Sequence, residues 1–186
     1  IATEAITKIP QEASDAWEKA LENYTGMTFT PIAYLGSQIV SGTNYAFLAS
    51  GTTVTKEPVT GLKEVIVYQD LDGNAEISDV VDVDVSLDGA SIGEGNGEVG
   101  GYEYQAEPAG EMNKEAADAL TKAMDGFVGS EIEPIGLVAT QIVSGTNYCI
   151  LCKTTTVTEK PVTQLQLVYV YQDLQGNAEI SNFQTL

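Results

Sequence analysis

The sequence predicts an α+β protein built from two tandem units, each a single helix packed across a four- or five-stranded antiparallel sheet. The first observation behind this is a duplication. The octapeptide QIVSGTNY stands at residues 38–45 and again at 141–148, and a shift of 103 places residues 31–78 on 134–181 without a gap, 31 of the 48 positions being identical. Repeats of this kind mark structural units rather than chance similarity. The second observation is that hydrophobic spacing within each unit changes from three-and-four to alternation, the change from helix to strand. The third is that the strand-like runs are joined by short, turn-rich links, which favours antiparallel neighbours.

The elements follow in order. Ala13, Ala16, Trp17, Ala20, Leu21 and Tyr24 form one apolar stripe at helical spacing, as do Ala116, Leu120, Ala123, Met124 and Phe127 in the second unit. Gly26 and Gly129 stand where each helix is expected to end. Four β-rich runs come next in the first unit, TPIAYLGSQIV, TNYAFLASGTTVT, LKEVIVYQD and AEISDVVDVDV, with close counterparts in the second. SGTN and the DLDGN or DLQGN pentapeptides supply glycines able to take positive φ between strands, and EPVTG or KPVTQ fills the broader remaining connection. The segment LDGASIGEGNGEVGG is glycine-rich and poor in large apolar residues, so the expected division is residues 1–87, a linker at 88–99, and residues 100–186.

Composition narrows the function classes. Eight lysines and no arginine stand against 27 acidic residues, a formal charge of −19 that repels phosphate backbones and anionic lipid, so neither nucleic acid nor membrane insertion is expected. No apolar run is long enough to cross a bilayer as a helix. With no histidine in the chain, Ser-His and Cys-His catalysis and histidine-ligated metals are excluded, and the expectation is a protein that is not an enzyme. Ile1 in place of an initiating methionine is what either a processed or a trimmed chain would show; no export signal is visible, and the expected location is extracellular or at the cell surface.

Three motifs invite chemistry and have plainer readings. Cys149 and Cys152 form C-x-x-C inside an extended run, where residues three apart point to opposite faces; they are expected to stay unbridged, bind no metal and act as small hydrophobes like Ala46 and Ala49 of the first unit. DLDGN begins like a calcium loop, but the twelfth position from Asp70 is Val81 rather than glutamate and Gln175 replaces Asp72 in the second copy, so a turn is expected. Asp82 and Asp84 alternate with Val81, Val83 and Val85 as the wet face of a strand would. No cofactor and no metal are expected.

The order helix, strand, QIVSGTNY, strand, broad loop, strand, hairpin, strand resembles that of the cystatins and stefins, and QIVSGTNY resembles their Gln-x-Val-x-Gly hairpin with the Asn-Tyr that follows it. The likeness covers most of both units, and implies two tandem cystatin-like domains. It also implies reversible inhibition of papain-like cysteine proteases by a wedge of amino-terminal trunk, first hairpin and second hairpin that plugs the active-site cleft. A rigid wedge loses little conformational entropy on docking. By this resemblance the partner-binding residues are Gln38, Val40 and Gly42 in the first unit and Gln141, Val143 and Gly145 in the second. Leu71 and Leu174, beside Asp70 and Asp173, present the second hairpins, and Gly101, next to Gly100, corresponds to the trunk glycine of the second unit. The first unit shows no such glycine, and Asp-Leu stands where many cystatins carry Pro-Trp, although stefins lack that tryptophan as well.

Two functions remain open at this point. One is a double-headed inhibitor of papain-like proteases; the other is a non-inhibitory extracellular module that binds another protein or acts as a spacer. In the second reading QIVSGTNY only turns the chain: Gly42 and Gly145 bend it, Asn44 and Asn147 bond the turn backbone, and Ile, Val and Tyr fill the core.

Overall fold

The computed structural model describes residues 9–87, 90–91, 103–104 and 112–186. Two compact units carry the fold. The first contains α1 (Gln11–Leu21), β1 (Met27–Val40), β2 (Gly42–Thr53), β3 (Thr60–Gln69) and β4 (Ala75–Asp82). Two short pieces, β5 (Ser86–Leu87) and β6 (Ala90–Ser91), pair with each other, and β7 (Glu103–Tyr104) precedes the second helix. The second unit continues with α2 (Lys114–Ala123), β8 (Ser130–Val143), β9 (Gly145–Thr156), β10 (Thr163–Gln172) and β11 (Ala178–Thr185).

Each sheet is an antiparallel meander, in the order β1-β2-β3-β4 in the first unit and β11-β10-β9-β8-β7 in the second. The α+β class and the helix-and-sheet pattern are therefore as expected, with four strands in one sheet and five in the other. The irregularities are shared as well. β1 slips register between Pro31 and Ala33 and between Tyr34 and Gly36; β8 does so at the equivalent Pro134/Gly136 and Leu137/Ala139. Such bulges bend a strand and increase its twist, and here they fall on the long strand that must curve beside the helix.

Helices of 11 and 10 residues are marginal alone, so packing must hold them. Ala13, Ala16, Trp17 and Ala20 are buried against Tyr34, Tyr45, Phe47, Val65 and Val67. The alanines let the helix backbone come close while Trp17 fills the gap, 4.7 Å from the Phe47 ring centre. The second unit fills the same space differently. Ala116, Ala119, Leu120 and Ala123 pack on Ile132, Tyr148, Ile150, Cys152 and Val168. Leu120 and Ile150 replace Trp17 and Phe47, and part of the lost aromatic volume returns at Phe183, which stands where the first unit has Val80 and lies 5.8 Å from Phe127. Interiors conserve total volume more strictly than residue identity. The other face of each sheet is apolar too: Leu48 and Leu62 are buried in the first unit, Leu151, Leu167 and Tyr169 in the second.

Four expectations need correction. The helices stop at Leu21 and Ala123, so Tyr24 and Phe127 lie beyond them, and Gly26 and Gly129 are strand entries immediately before β1 and β8. β4 ends at Asp82, so Asp84 lies beyond the strand, although Asp82 and Asp84 are exposed and Val83 and Val85 turn inward as expected; Val81 departs from the pattern, exposed beside Asp82, whose carboxylate pairs with Lys63. Ala90 and Ser91, expected in the linker, form β6, and residues 88–89 lie outside the described residues. Residues 92–99 of that linker, like Gly100 and Gly101, lie outside the described residues.

Candidate functional site

Antiparallel neighbours bring successive turns to alternate ends of a sheet, so the β1–β2 and β3–β4 turns share one end. Adjacent strands set them side by side, since Thr43 faces Gln69 across β2 and β3, and Thr146 faces Gln172 across β9 and β10. The first turn closes at the Val40–Gly42 pair, or Val143–Gly145 in the second unit. Gly42 and Gly145 take φ of +120° and +122°. A Cβ at either place would overlap the carbonyl oxygen of Gln69 or Gln172 and press on the ring of Tyr68 or Tyr171. These glycines are buried and face their own sheet, so their first use is internal: they let the hairpin lie close on β3 or β10.

A hydroxyl fastens that contact. Tyr68 donates to the Ser41 carbonyl at 2.5 Å, and Tyr171 donates to the Ser144 carbonyl at the same distance. The apex beyond is apolar and open. Ile39 is 86% exposed and Val40 46%; Ile142 is 67% exposed and Val143 42%. If QIVSGTNY only turned the chain, Ile and Val would fill the core. They lie outside it because the hairpin runs past the end of the helix-covered sheet, and of that set the tyrosines, Tyr45 and Tyr148, are buried. Nor does Asn147 bond turn backbone with its side-chain amide: its Nδ2 donates to Gln141 Oε1 at 2.7 Å. Gln141 is buried, whereas its counterpart Gln38 is exposed.

The second turn is held by its aspartate. Asp70 accepts from the backbone N–H of Asp72 and Asn74 at 2.9 and 2.8 Å and from Asn74 Nδ2 at 2.8 Å; Asp173 does the same with Gln175 and Asn177. Hydrogen bonds to the charged form, from the asparagine side chain above all, hold both carboxyls below their ordinary range. The first aspartate of the calcium-like pentapeptide is thus spent on its own turn. Position 72 contributes only its backbone, which explains why Asp72 can become Gln175. Among the described residues, no group of three or more Cys, Asp or Glu side chains is arranged to hold a metal. Leu71 and Leu174 project from these turns, 84% and 76% exposed.

The result is one edge per unit: Ile39, Val40 and Leu71 in the first, Ile142, Val143 and Leu174 in the second. A third contributor is visible in the second unit, where β7 lies along β8 with Glu103 opposite Thr140, three positions short of Val143. The cysteines lie elsewhere. Cys152 packs in the helix-side core and Cys149 on the other face of β9; both are free. Burial pushes the Cys152 thiol up to about 12 and raises Cys149 as well, so neither is a thiolate at neutral pH.

Two pairs escaped the sequence reading although their signal was present. Tyr68 and Tyr171 match at the 103-residue shift, and so do Lys19 and Lys122, whose amines donate to the Gly73 and Gly176 carbonyls at 2.6 and 2.9 Å. Among the described residues no helix is long and apolar enough to cross a membrane. The chain matches no protein-family model and no curated protein sequence.

Proposed function

We propose that this chain is a non-enzymatic, double-headed reversible inhibitor of papain-like cysteine proteases, acting outside the cell through two tandem cystatin-like domains. The observation that carries the reading is the exposure of Ile39, Val40 and Leu71 on one edge, repeated by Ile142, Val143 and Leu174. Large apolar side chains are retained in both copies at places where folding alone does not bury them. Such residues are the ones a partner covers. The edge is narrow, backbone-rich and held by internal hydrogen bonds, which suits insertion into a cleft without supplying a bond to cleave.

In this reading Val40, Leu71, Val143 and Leu174 touch the protease, while Gly42 and Gly145 act by shaping the hairpin. Gln38 and Gln141 flank it, and by the resemblance alone Gly101 is a further partner-binding residue. The second unit is the stronger head, because β7 adds an edge next to its first hairpin. Titration of papain with the purified chain tests the proposal. Activity that stays constant with the chain in large excess would leave the non-inhibitory binding or spacer module as the function of the same two edges.

A further inference from the structure

We propose that Lys19 and Lys122 are positioning residues that set the orientation of the second hairpin in each unit; this rests on the reading of those hairpins as half of an inhibitory edge. The internal bonds of the turn fix its shape but not its direction. Asp173 and Asn177 close the loop on itself, and the strand ladder reaches only to Gln172 and Ala178, so it leaves residues 173–177 without a tie to the rest of the unit. Lys122, in the last turn of α2, reaches 54 positions along the chain to the Gly176 carbonyl, and Lys19 makes the equivalent bond to Gly73. A charged donor on a carbonyl is among the stronger hydrogen bonds. It ties the turn to a helix whose apolar face is buried against the sheet.

Two further observations point the same way. Of the eight lysines, at 8, 19, 56, 63, 114, 122, 153 and 160, only 19 and 122 coincide at the 103-residue shift. In a chain of charge −19 most lysines have drifted, and this pair has not. The amine also lies over the turn itself: the Lys122 Nζ is 3.5 Å from where a Cβ on Gly176 would stand. With the latch closed, Leu174 is presented in one place and loses less freedom on docking.

The test uses the full chain with Lys19→Met and Lys122→Met together, and the corresponding arginine variants. The methionine variant keeps the aliphatic stem and removes the donor; arginine restores a donor. Backbone order parameters of residues 71–73 and 174–176 are expected to fall clearly below those of β3 and β10 in the methionine variant and to stay high with arginine. The inhibition constant for papain is expected to rise about twofold to tenfold with methionine and to recover with arginine, while the melting temperature moves by less than about 2 °C. Unchanged order parameters would overturn the latch, and loosened turns with unchanged inhibition would overturn its positioning role. A large loss of melting temperature with methionine would show a structural role instead. A parent chain that does not inhibit papain would refute the inhibitor reading, and the order parameters would still decide the latch.

Discussion

Replacing Gly42 by alanine should cost the first unit far more than replacing Gly73, although both are turn glycines with positive φ. At Gly42 two penalties combine. A φ of +120° strains an L-residue by roughly 1–2 kcal/mol. The new methyl must also displace the Gln69 carbonyl or the Tyr68 ring, whose nearest carbon is 2.9 Å from the Cβ position, an overpacking cost of roughly 1–3 kcal/mol. Together these give about 2–5 kcal/mol. At Gly73, with φ of +82°, a Cβ meets nothing within 4 Å, so only the backbone term of roughly 1–2 kcal/mol applies. Trp17 is the single tryptophan and is buried in the first unit, so its fluorescence during urea unfolding reports that unit directly. With a urea slope of about 1–1.5 kcal/mol/M for so small a unit, the Gly42→Ala midpoint should lie about 1 M or more below that of the parent chain, and below that of Gly73→Ala. Equal midpoints for the two variants, or a lower one for Gly73→Ala, would refute the claim that the hairpin glycine is held by internal contact.

Tyr68→Phe removes the bond to the Ser41 carbonyl but keeps the ring, and should lower first-unit stability by about 1 kcal/mol in the same assay. Asp70 and Asp173 are held below the ordinary 3.8 by their asparagine partners, so their contribution is complete above that value and is lost as pH falls through the depressed folded value. The stability gap between the parent chain and Asp173→Ala should therefore be constant at neutral pH and shrink below about pH 4, as acid unfolding followed by circular dichroism would show. A thiol reagent at pH 8 should leave Cys149 and Cys152 untouched in the folded chain and find two thiols after denaturation, because burial raises both pKa values and the two sulfurs are free.

Much of this architecture is written in local pattern. Alanine spacing marks the helices, and the glycines of SGTN and DLDGN mark turns because backbone with positive φ leaves few alternatives. Helix ends were harder to read, since Tyr24 continues the helical stripe yet packs from beyond the helix, 5.5 Å from the Phe29 ring. The strand expected through Asp84 stops at Asp82, where pairing with β3 ends, although the alternation of exposed Asp82 and Asp84 with half-buried Val83 and buried Val85 continues beyond it. Exposure of Ile39 and Val40 was invisible to hydrophobic pattern, because the same letters serve a core strand and an uncovered hairpin. The tyrosine and lysine ties join residues 27 and 54 positions apart. Nothing local announces such bonds, and only their survival in both copies distinguishes these side chains from ordinary surface.

The central claim is that the two exposed edges plug a protease cleft. It is tested most directly by titrating papain of known active-site concentration with the full chain, alongside Leu71→Asp, Leu174→Asp and the double variant. These side chains are 84% and 76% exposed, so the substitutions leave the core intact. Burying one leucine on docking is worth about 1.5–3 kcal/mol, so each single variant should weaken its own head by about 10- to 100-fold. Inhibition by the parent chain at up to two enzymes per chain is expected, with a larger loss from Leu174→Asp than from Leu71→Asp and almost none left in the double variant. Full papain activity in the presence of excess parent chain, or inhibition untouched by the double substitution, would contradict it.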